Sequence, residues 1–138
     1  MRNIVIILIL AFLLFTNVNC ATQIPLERGR EWLSKETSPP EINVDGDWYS
    51  NEWGKITLKQ CKGCRDITGT QYEDGKYEGW KIEGVVSGKS VFLVMHYKGN
   101  TDFTATLTAQ SDRELTGVYV YGLMTNKSQT KNTMLLHR

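Results

Sequence analysis

From Val44 onward, apolar and polar residues alternate in short stretches that Gly, Asn or Asp interrupt about every ten residues. Phe103, Ala105 and Leu107 fall on one side of such a stretch, and threonines fall on the other. This alternation predicts β-strands with one buried face. The predicted strands are Asp47 to Glu52, Gly54 to Cys61, Cys64 to Glu73, Gly79 to Ser87, Ser90 to Tyr97, Asp102 to Gln110, Glu114 to Tyr121 and Asn132 to His137.

The connections between these strands are short and carry Gly, Asn or Asp, the residues that tolerate tight-turn backbone angles. Each strand should therefore pair with the next as an antiparallel meander. About eight such strands with one apolar face avoid open edges by closing on themselves. The predicted fold is an all-β, up-and-down barrel over residues 44–138. Within it, Val91 to Tyr97 is apolar on both sides and should be a well-covered strand.

Three predicted strands carry a glycine near their middle, at Gly69, Gly84 and Gly117. Glycine inside a strand weakens it unless the backbone needs the space. We expect these positions to mark sharp bends of the barrel wall, or places where a ring lies over the backbone.

The chain begins with Arg2 and an apolar run from Ile4 to Phe15, followed by polar residues up to Cys20. This pattern predicts a secretory signal peptide over residues 1–20, and the run is short for a membrane span. It resembles a bacterial lipoprotein signal, in which a cysteine at the position of Cys20 receives lipid. Asn19 departs from the small residue usual before that cysteine. Ordinary cleavage after Cys20 or Ala21 is the alternative.

Residues 21–43 are expected to be a spacer with little regular structure. Leu26 to Thr37 has the composition of a short helix, but Gly29 weakens that interpretation. Ser38-Pro39-Pro40 ends any helix and favours extended backbone.

Loss of residues 1–20 removes one basic residue, Arg2, of 16 and leaves as many basic residues as the 15 acidic ones. A formally neutral domain without blocks of like charge argues against nucleic-acid binding. Only His96 and His137 supply imidazole, and neither lies in a recognisable catalytic or metal-binding motif. The sequence therefore predicts no enzyme activity, no metal and no cofactor.

Cys61 and Cys64 remain as a pair once Cys20 is lipidated or removed, and disulfides persist in exported proteins. The pattern predicts a disulfide across the turn Lys62-Gly63. A redox pair would need a helix after the motif, and a zinc site would need a second ligand pair. Free thiols are the remaining alternative.

Several short motifs resemble the avidin and streptavidin family of eight-stranded barrels: Gly46-Asp47-Trp48-Tyr49, Ile67-Thr68-Gly69-Thr70, Leu115-Thr116-Gly117-Val118-Tyr119 and Thr133-Met134-Leu135-Leu136. The resemblance implies the barrel. The biotin site of that family is walled by tryptophans, and Phe92 to Tyr97 contains none, so biotin binding is not expected here. Small secreted β-meander lipoproteins look equally similar. Val44-Asp45-Gly46 with Glu52-Trp53 resembles the first strand of some sugar-binding β-sandwiches, and nothing downstream continues that pattern.

Aromatic residues are dense after Val44, at Trp48, Tyr49, Trp53, Tyr72, Tyr77, Trp80, Tyr97, Tyr119 and Tyr121. Such rings either fill a small core or line a binding site. If a ligand site exists, Trp48, Tyr49, Trp80 and Tyr119 are the expected residues, because they flank glycines at strand ends.

The sequence therefore leaves several functions open. One is a non-catalytic, exported and membrane-anchored protein that binds a small molecule or a protein. The alternatives are a structural envelope or surface lipoprotein without a pocket, and an inhibitor of a secreted enzyme. The content of the barrel interior distinguishes the binding function from the structural function. Convergence of Trp48, Trp80 and Tyr119 on a cavity would favour binding. An interior filled by Met95, Phe103 and Leu107 would favour the structural role.

Overall fold

The structure, a computed structural model, describes residues 23–50, 52–72, 79–125 and 127–138. Within these residues eight antiparallel strands each pair with the next, and the last pairs with the first to close a barrel. The predicted all-β up-and-down barrel is thereby confirmed. The elements are α1 (Leu26–Leu33), β1 (Gly46–Ser50), β2 (Gly54–Lys59), β3 (Asp66–Tyr72), β4 (Lys81–Ser87), β5 (Ser90–Tyr97), β6 (Asn100–Ser111), β7 (Glu114–Tyr121) and β8 (Asn132–His137).

The seam between β1 and β8 is the shortest of the pairings. Among the described residues, Tyr49 and His137 are its single pair of register partners. By contrast, β4 and β5 are paired at seven positions, from Lys81 to Ser87 on β4. The ring centroids of Tyr49 and His137 lie 6.1 Å apart on the outer surface of this seam.

Alternation along the strands places one apolar set inside the barrel. Ala105 and Leu107 of β6 are completely buried, and Phe103 packs against the same core. On the opposite face of β6, Thr108 is exposed. Leu58, Leu93, Met95 and Leu136 complete the central layers, each no more than 1% exposed. The barrel interior is therefore filled with aliphatic side chains.

The three mid-strand glycines each lie opposite a leucine on the preceding or following strand. The register partners are Gly69 with Leu58, Gly84 with Leu93, and Gly117 with Leu107. A Cβ at Gly84 would come within 2.8 Å of Leu93 Cδ2 and 2.5 Å of the Phe92 carbonyl. The atoms nearest to these glycines belong to no aromatic ring: leucine side chains and carbonyl groups lie close to Gly69 and Gly84, and the backbone of β6 lies close to Gly117.

Residues 21–43 were expected to be a spacer with little regular structure, and the described part of this segment instead lies against the barrel. Helix α1 packs Leu26 and Leu33 on Val85 and Val94, on the outer wall of β4 and β5. This cover explains why Val94 is completely buried although it faces away from the interior. The apolar residues on both faces of β5 are thus accounted for.

Gly29 is the point of closest approach between α1 and the barrel. A Cβ at this position would lie 2.8 Å from both Thr101 Oγ1 and Val94 Cγ1. The glycine that weakens the helix in isolation therefore permits the helix to dock. Arg30 strengthens the contact by donating two hydrogen bonds of 2.9 Å to the carboxylate of Glu83 on β4.

Candidate functional site

Because the strands alternate in direction, the barrel has two ends with different connections. At one end, called the closed end, lie the turns at residues 62–63, 88–89 and 112–113 and the last residue, Arg138. At the other end lie the connections from β1 to β2, from β3 to β4, from β5 to β6 and from β7 to β8. The two ends differ in chemistry, and each contains one of the tryptophans expected at a ligand site.

Six aromatic side chains of the described residues cluster at the second end. The residues are Trp53, Trp80, Tyr97, Phe103, Tyr119 and Tyr121, and this cluster is called the aromatic mouth. Five of them occupy or directly precede inward positions of β4, β5, β6 and β7, and Trp53 comes from the connection between β1 and β2. Strand periodicity therefore collects these rings at one end of the barrel.

The rings of the mouth contact one another edge to face or at a tilt. Phe103 lies at the centre, with ring centroids 5.7 Å from Trp53, 6.4 Å from Trp80 and 4.9 Å from Tyr121. Exposure rises outward: Trp53 is 5% exposed, Tyr97 is 43% exposed and Tyr121 is 70% exposed. The mouth thus has a buried aromatic floor and an exposed aromatic rim.

Polar groups are interspersed among these rings. Trp80 Nε1 donates a hydrogen bond to the carboxylate of Asp102, and Gln71 Nε2 donates one to the carbonyl of Trp53. In the described part of the chain, buried Gln71 Oε1 and buried Asn132 Nδ2 have no hydrogen-bond partner. Both residues occupy inward positions near the mouth, at the end of β3 and the start of β8. This end of the barrel therefore contains one buried acceptor and one buried donor without a partner.

The hydroxyl of Tyr119 adds a further polar group. Burial raises the pKa of Tyr119 above its ordinary value, and the nearby Tyr121 and Glu52 raise it further. Its phenol consequently stays protonated throughout the physiological range. It can donate a hydrogen bond there but is poorly suited to act as a base.

Trp48 lies at the closed end, remote from the mouth. Its indole is 1% exposed, and Nε1 donates a 2.8 Å hydrogen bond to the carbonyl of Val44. The guanidinium carbon of Arg138 lies 4.3 Å from the centroid of the ring. Arg138 also donates to the carbonyls of Asp45 and Asp112, at 2.7 and 2.8 Å. Trp48 and Arg138 thus seal this end.

Of the four residues expected at a ligand site, the structure brings Trp80 and Tyr119 together. Trp48 lies at the opposite end, and Tyr49 is 47% exposed on the outer surface, beside His137. The pattern missed Trp53, Phe103, Tyr97 and Tyr121. Counting inward positions along each strand to its last residue would have found the last three. Tyr77 lies outside the described residues.

The cysteine pair belongs to the closed end. Cys61 and Cys64 face each other at disulfide distance, with Cα atoms 5.2 Å apart, across the predicted turn. Gln60 fastens this loop, because its side-chain amide donates to the carbonyl of Cys64 at 2.8 Å and accepts from the amide of Val44 at 2.8 Å. The loop thereby holds the chain where it enters β1. Cys20, the predicted lipidation site, lies outside the described residues.

The space between the two ends is occupied. Met95 and Leu107 are buried in the barrel interior, whereas Phe103 lies half-buried in the mouth. Trp48, Trp80 and Tyr119 therefore do not converge on one cavity. A cleft of about 320 Å³ lies on the outer wall beside α1, but Arg30 and Glu83 in its lining are already paired with each other. Arg65, which also lines this cleft, has a buried Nε without a partner, so unpaired polar atoms are found both here and at the mouth among the described residues.

Comparison with known proteins finds no family model, no curated protein and no solved structure that matches this chain. The class of protein is therefore defined by the fold alone, as a small eight-stranded antiparallel β-barrel with one external helix. The resemblance to avidin-like barrels stays a prediction. Among the described residues, no helix is long and apolar enough to cross a membrane.

Proposed function

We propose that this protein is an exported, lipid-anchored binding protein without catalytic activity, and that the aromatic mouth is its binding site. The observation that carries the proposal is the combination of exposed rings with buried polar atoms that lack a partner at the same end of the barrel. Stability alone does not favour leaving Gln71 Oε1 unpaired, because an unsatisfied buried polar atom costs about 1–3 kcal/mol.

The chemistry of the mouth favours an amphipathic ligand. Tyr97 and Tyr121 offer flat, exposed aromatic surfaces, on which a sugar ring, an aromatic metabolite or an apolar side chain of a protein can pack. Gln71 Oε1 and Asn132 Nδ2 are a buried acceptor and a buried donor without partners at the same end of the barrel. A ligand with an apolar face and a polar edge would satisfy both kinds of group.

The mouth can be tested with two matched tyrosine variants. A thermal-shift screen of the processed domain against sugars, aromatic metabolites and secreted proteases identifies candidate ligands. Tyr97→Ser should then weaken binding about tenfold, equivalent to about 1.4 kcal/mol. Tyr49→Ser is the control, since Tyr49 has nearly the same exposure (47% against 43%) but lies outside the mouth. Equal effects of the two variants would place the ligand elsewhere.

The proposed localisation at a membrane is based on the N-terminal sequence pattern and can be tested separately. We propose that Cys20 carries the lipid, because it follows the apolar run of a signal peptide. Cys20→Ala should move the protein from the membrane fraction to the soluble fraction of the producing cells. Unchanged partitioning would remove the lipid anchor and leave the binding proposal intact.

A structural role in the cell envelope is the second candidate. It is favoured by the filled interior, in which Leu93, Met95 and Leu107 are completely or almost completely buried. In that case no ligand should stabilise the domain, and substitutions in the mouth should leave its activity in cells unchanged. Stabilisation by a secreted protease in the same screen would instead support the inhibitor role.

A further inference from the structure

The described chain is fastened to the barrel at the mouth end. The amide of Thr101 donates a 2.7 Å hydrogen bond to the carbonyl of Ile24, and the amide of Leu26 donates a 2.8 Å bond to the carbonyl of Gly99. Gly99 lies in the connection from β5 to β6, two residues after Tyr97. On the other side, Ile24 Cδ1 lies 2.8 Å from the place where a Cβ of Gly122 would stand, one residue after Tyr121. Ile24 therefore lies at the mouth end, against residues of the β5–β6 and β7–β8 connections and the start of β6.

This attachment limits how far a lipid at Cys20 can be from the mouth. Ile24 is the fourth residue after Cys20, and so short a stretch spans at most about 14 Å. The closed end is further away by the length of the barrel wall, about 20 Å for tilted strands of this size. An anchor at Cys20 thus brings the mouth end, rather than the closed end, to the membrane.

The exposed side chains at the two ends also favour an orientation in which the mouth faces the membrane. At the mouth, Tyr97 and Tyr121 are large exposed aromatic side chains, and Lys98 Nζ lies 5.3 Å from the centroid of the Tyr97 ring. Tyrosine is favoured at the boundary between lipid and water, and lysine is attracted to anionic headgroups. At the closed end, the exposed turn Asp112-Arg113 and the following Glu114 carry charges of both signs.

We infer that the aromatic mouth faces the bilayer that holds the N-terminal lipid and contacts its surface through Tyr97, Lys98 and Tyr121. This inference rests on the proposed lipidation of Cys20 and on the mouth being the binding site. It specifies the ligand class, because a mouth in this position receives amphiphiles from the lipid surface rather than solutes from the surrounding water.

The orientation can be measured on the lipid-modified protein, isolated from membranes and reconstituted in vesicles of phosphatidylethanolamine and phosphatidylglycerol. Lys98→Cys and Arg113→Cys each introduce one labelling site in an exposed turn, the first at the mouth and the second at the closed end. A fluorophore at position 98 should be quenched several-fold more strongly by nitroxide-bearing phospholipids than one at position 113. Equal quenching, or stronger quenching at 113, overturns the inference.

A second measurement distinguishes direct contact of the rim tyrosines with the membrane from closeness to the membrane that the N-terminal anchor alone would cause. Replacing Tyr97 and Tyr121 by Ser in the Lys98→Cys background should reduce the quenching at position 98, whereas Tyr49→Ser should not. Near-ultraviolet circular dichroism shows whether each variant keeps its tertiary packing. Unchanged quenching after loss of both rim tyrosines overturns the proposed contact.

The membrane orientation and the binding function can fail independently of each other. If the label at position 98 is not close to lipid, but a soluble ligand still binds the processed domain in a manner that depends on Tyr97, the membrane orientation fails and the binding function stands. If no ligand binds and quenching is confined to position 98, the mouth is a membrane-docking surface only. If Cys20→Ala does not release the protein, the orientation has lost its basis and is rejected.

Discussion

The closed end and the aromatic mouth are built from the same strands, yet they use their aromatic residues in opposite ways. At the closed end, Trp48 is completely enclosed, its Nε1–H is satisfied by Val44, and Arg138 covers its ring. At the mouth, Tyr97 and Tyr121 remain exposed, and Gln71 and Asn132 keep polar atoms without partners. The aromatic ring at the closed end is enclosed by the chain, whereas rings at the mouth are left exposed, although Arg65 Nε near the closed end also lacks a partner.

In so small a barrel, the two ends divide stability and recognition between them. The closed end has two-residue connections from β4 to β5 and from β6 to β7, a cysteine pair and the hydrogen bonds of Gln60, which hold the wall together. The mouth includes the two longest connections, from β3 to β4 and from β7 to β8, and long connections tolerate change and commonly carry function. We therefore expect substitutions at the closed end to affect mainly the free energy of unfolding, and substitutions at the mouth to affect mainly binding.

The largest effect should come from truncating Trp48. Trp48→Ala should lower the free energy of unfolding by about 4 kcal/mol, because it leaves a cavity beneath Arg138 and removes a fully buried indole. Trp80→Ala, at the mouth, should cost about 2 kcal/mol or less, since its ring is only partly buried. Urea unfolding followed by circular dichroism measures both. Equal losses would show that the mouth contributes as much to stability as the closed end.

Removal of the cysteine pair should have a smaller effect. Replacing Cys61 and Cys64 by Ser should cost about 1.5 kcal/mol, because the disulfide would close only a very short loop. The midpoint of urea unfolding under oxidising conditions tests this value, and ligand binding at the mouth should be unaffected. The same measurement on the unaltered protein with a reductant is the control. If reductant does not shift its midpoint, the cysteines are free thiols.

The smallest expected effect is the pH dependence of stability that arises from Tyr119 at the mouth. The pKa of Tyr119 is raised in the folded protein, so its neutral form is favoured by folding. The associated stability is present below the ordinary tyrosine pKa of about 10 and is lost as the pH rises towards the folded value. Spectrophotometric titration, with Tyr119→Phe to assign the signal, should show Tyr119 ionising late. Ionisation at or below the ordinary value would mean that the mouth is more hydrated than the structure shows.

Much of the fold could be predicted from the sequence because turns and alternation are local signals. Strands β5, β7 and β8 begin and end at the predicted residues, where Gly, Asn or Asp marks the adjoining turn. The barrel followed because consecutive strands with short connections pair with each other. Helix α1 was harder to foresee, because Gly29 lowers helix propensity and gains its role only from the approach to Val94 and Thr101.

The site could be predicted only in part. Alternation tells which residues face the interior, but not towards which end of the barrel a large ring leans. Trp48 and Trp80 both occupy or adjoin inward positions, yet Trp48 hydrogen-bonds Val44 at the closed end and Trp80 hydrogen-bonds Asp102 at the mouth. Tyr49 is a different case, because alternation with its buried neighbour Trp48 already places it on the outer wall.

The seam between β1 and β8 is the weakest pairing in the barrel wall. With Tyr49 and His137 as its single pair of register partners among the described residues, it should separate before any other pair of strands. Separation would leave two bare strand edges, which can recruit strands from other chains. Conditions that loosen this seam are therefore those under which the protein is most prone to self-association.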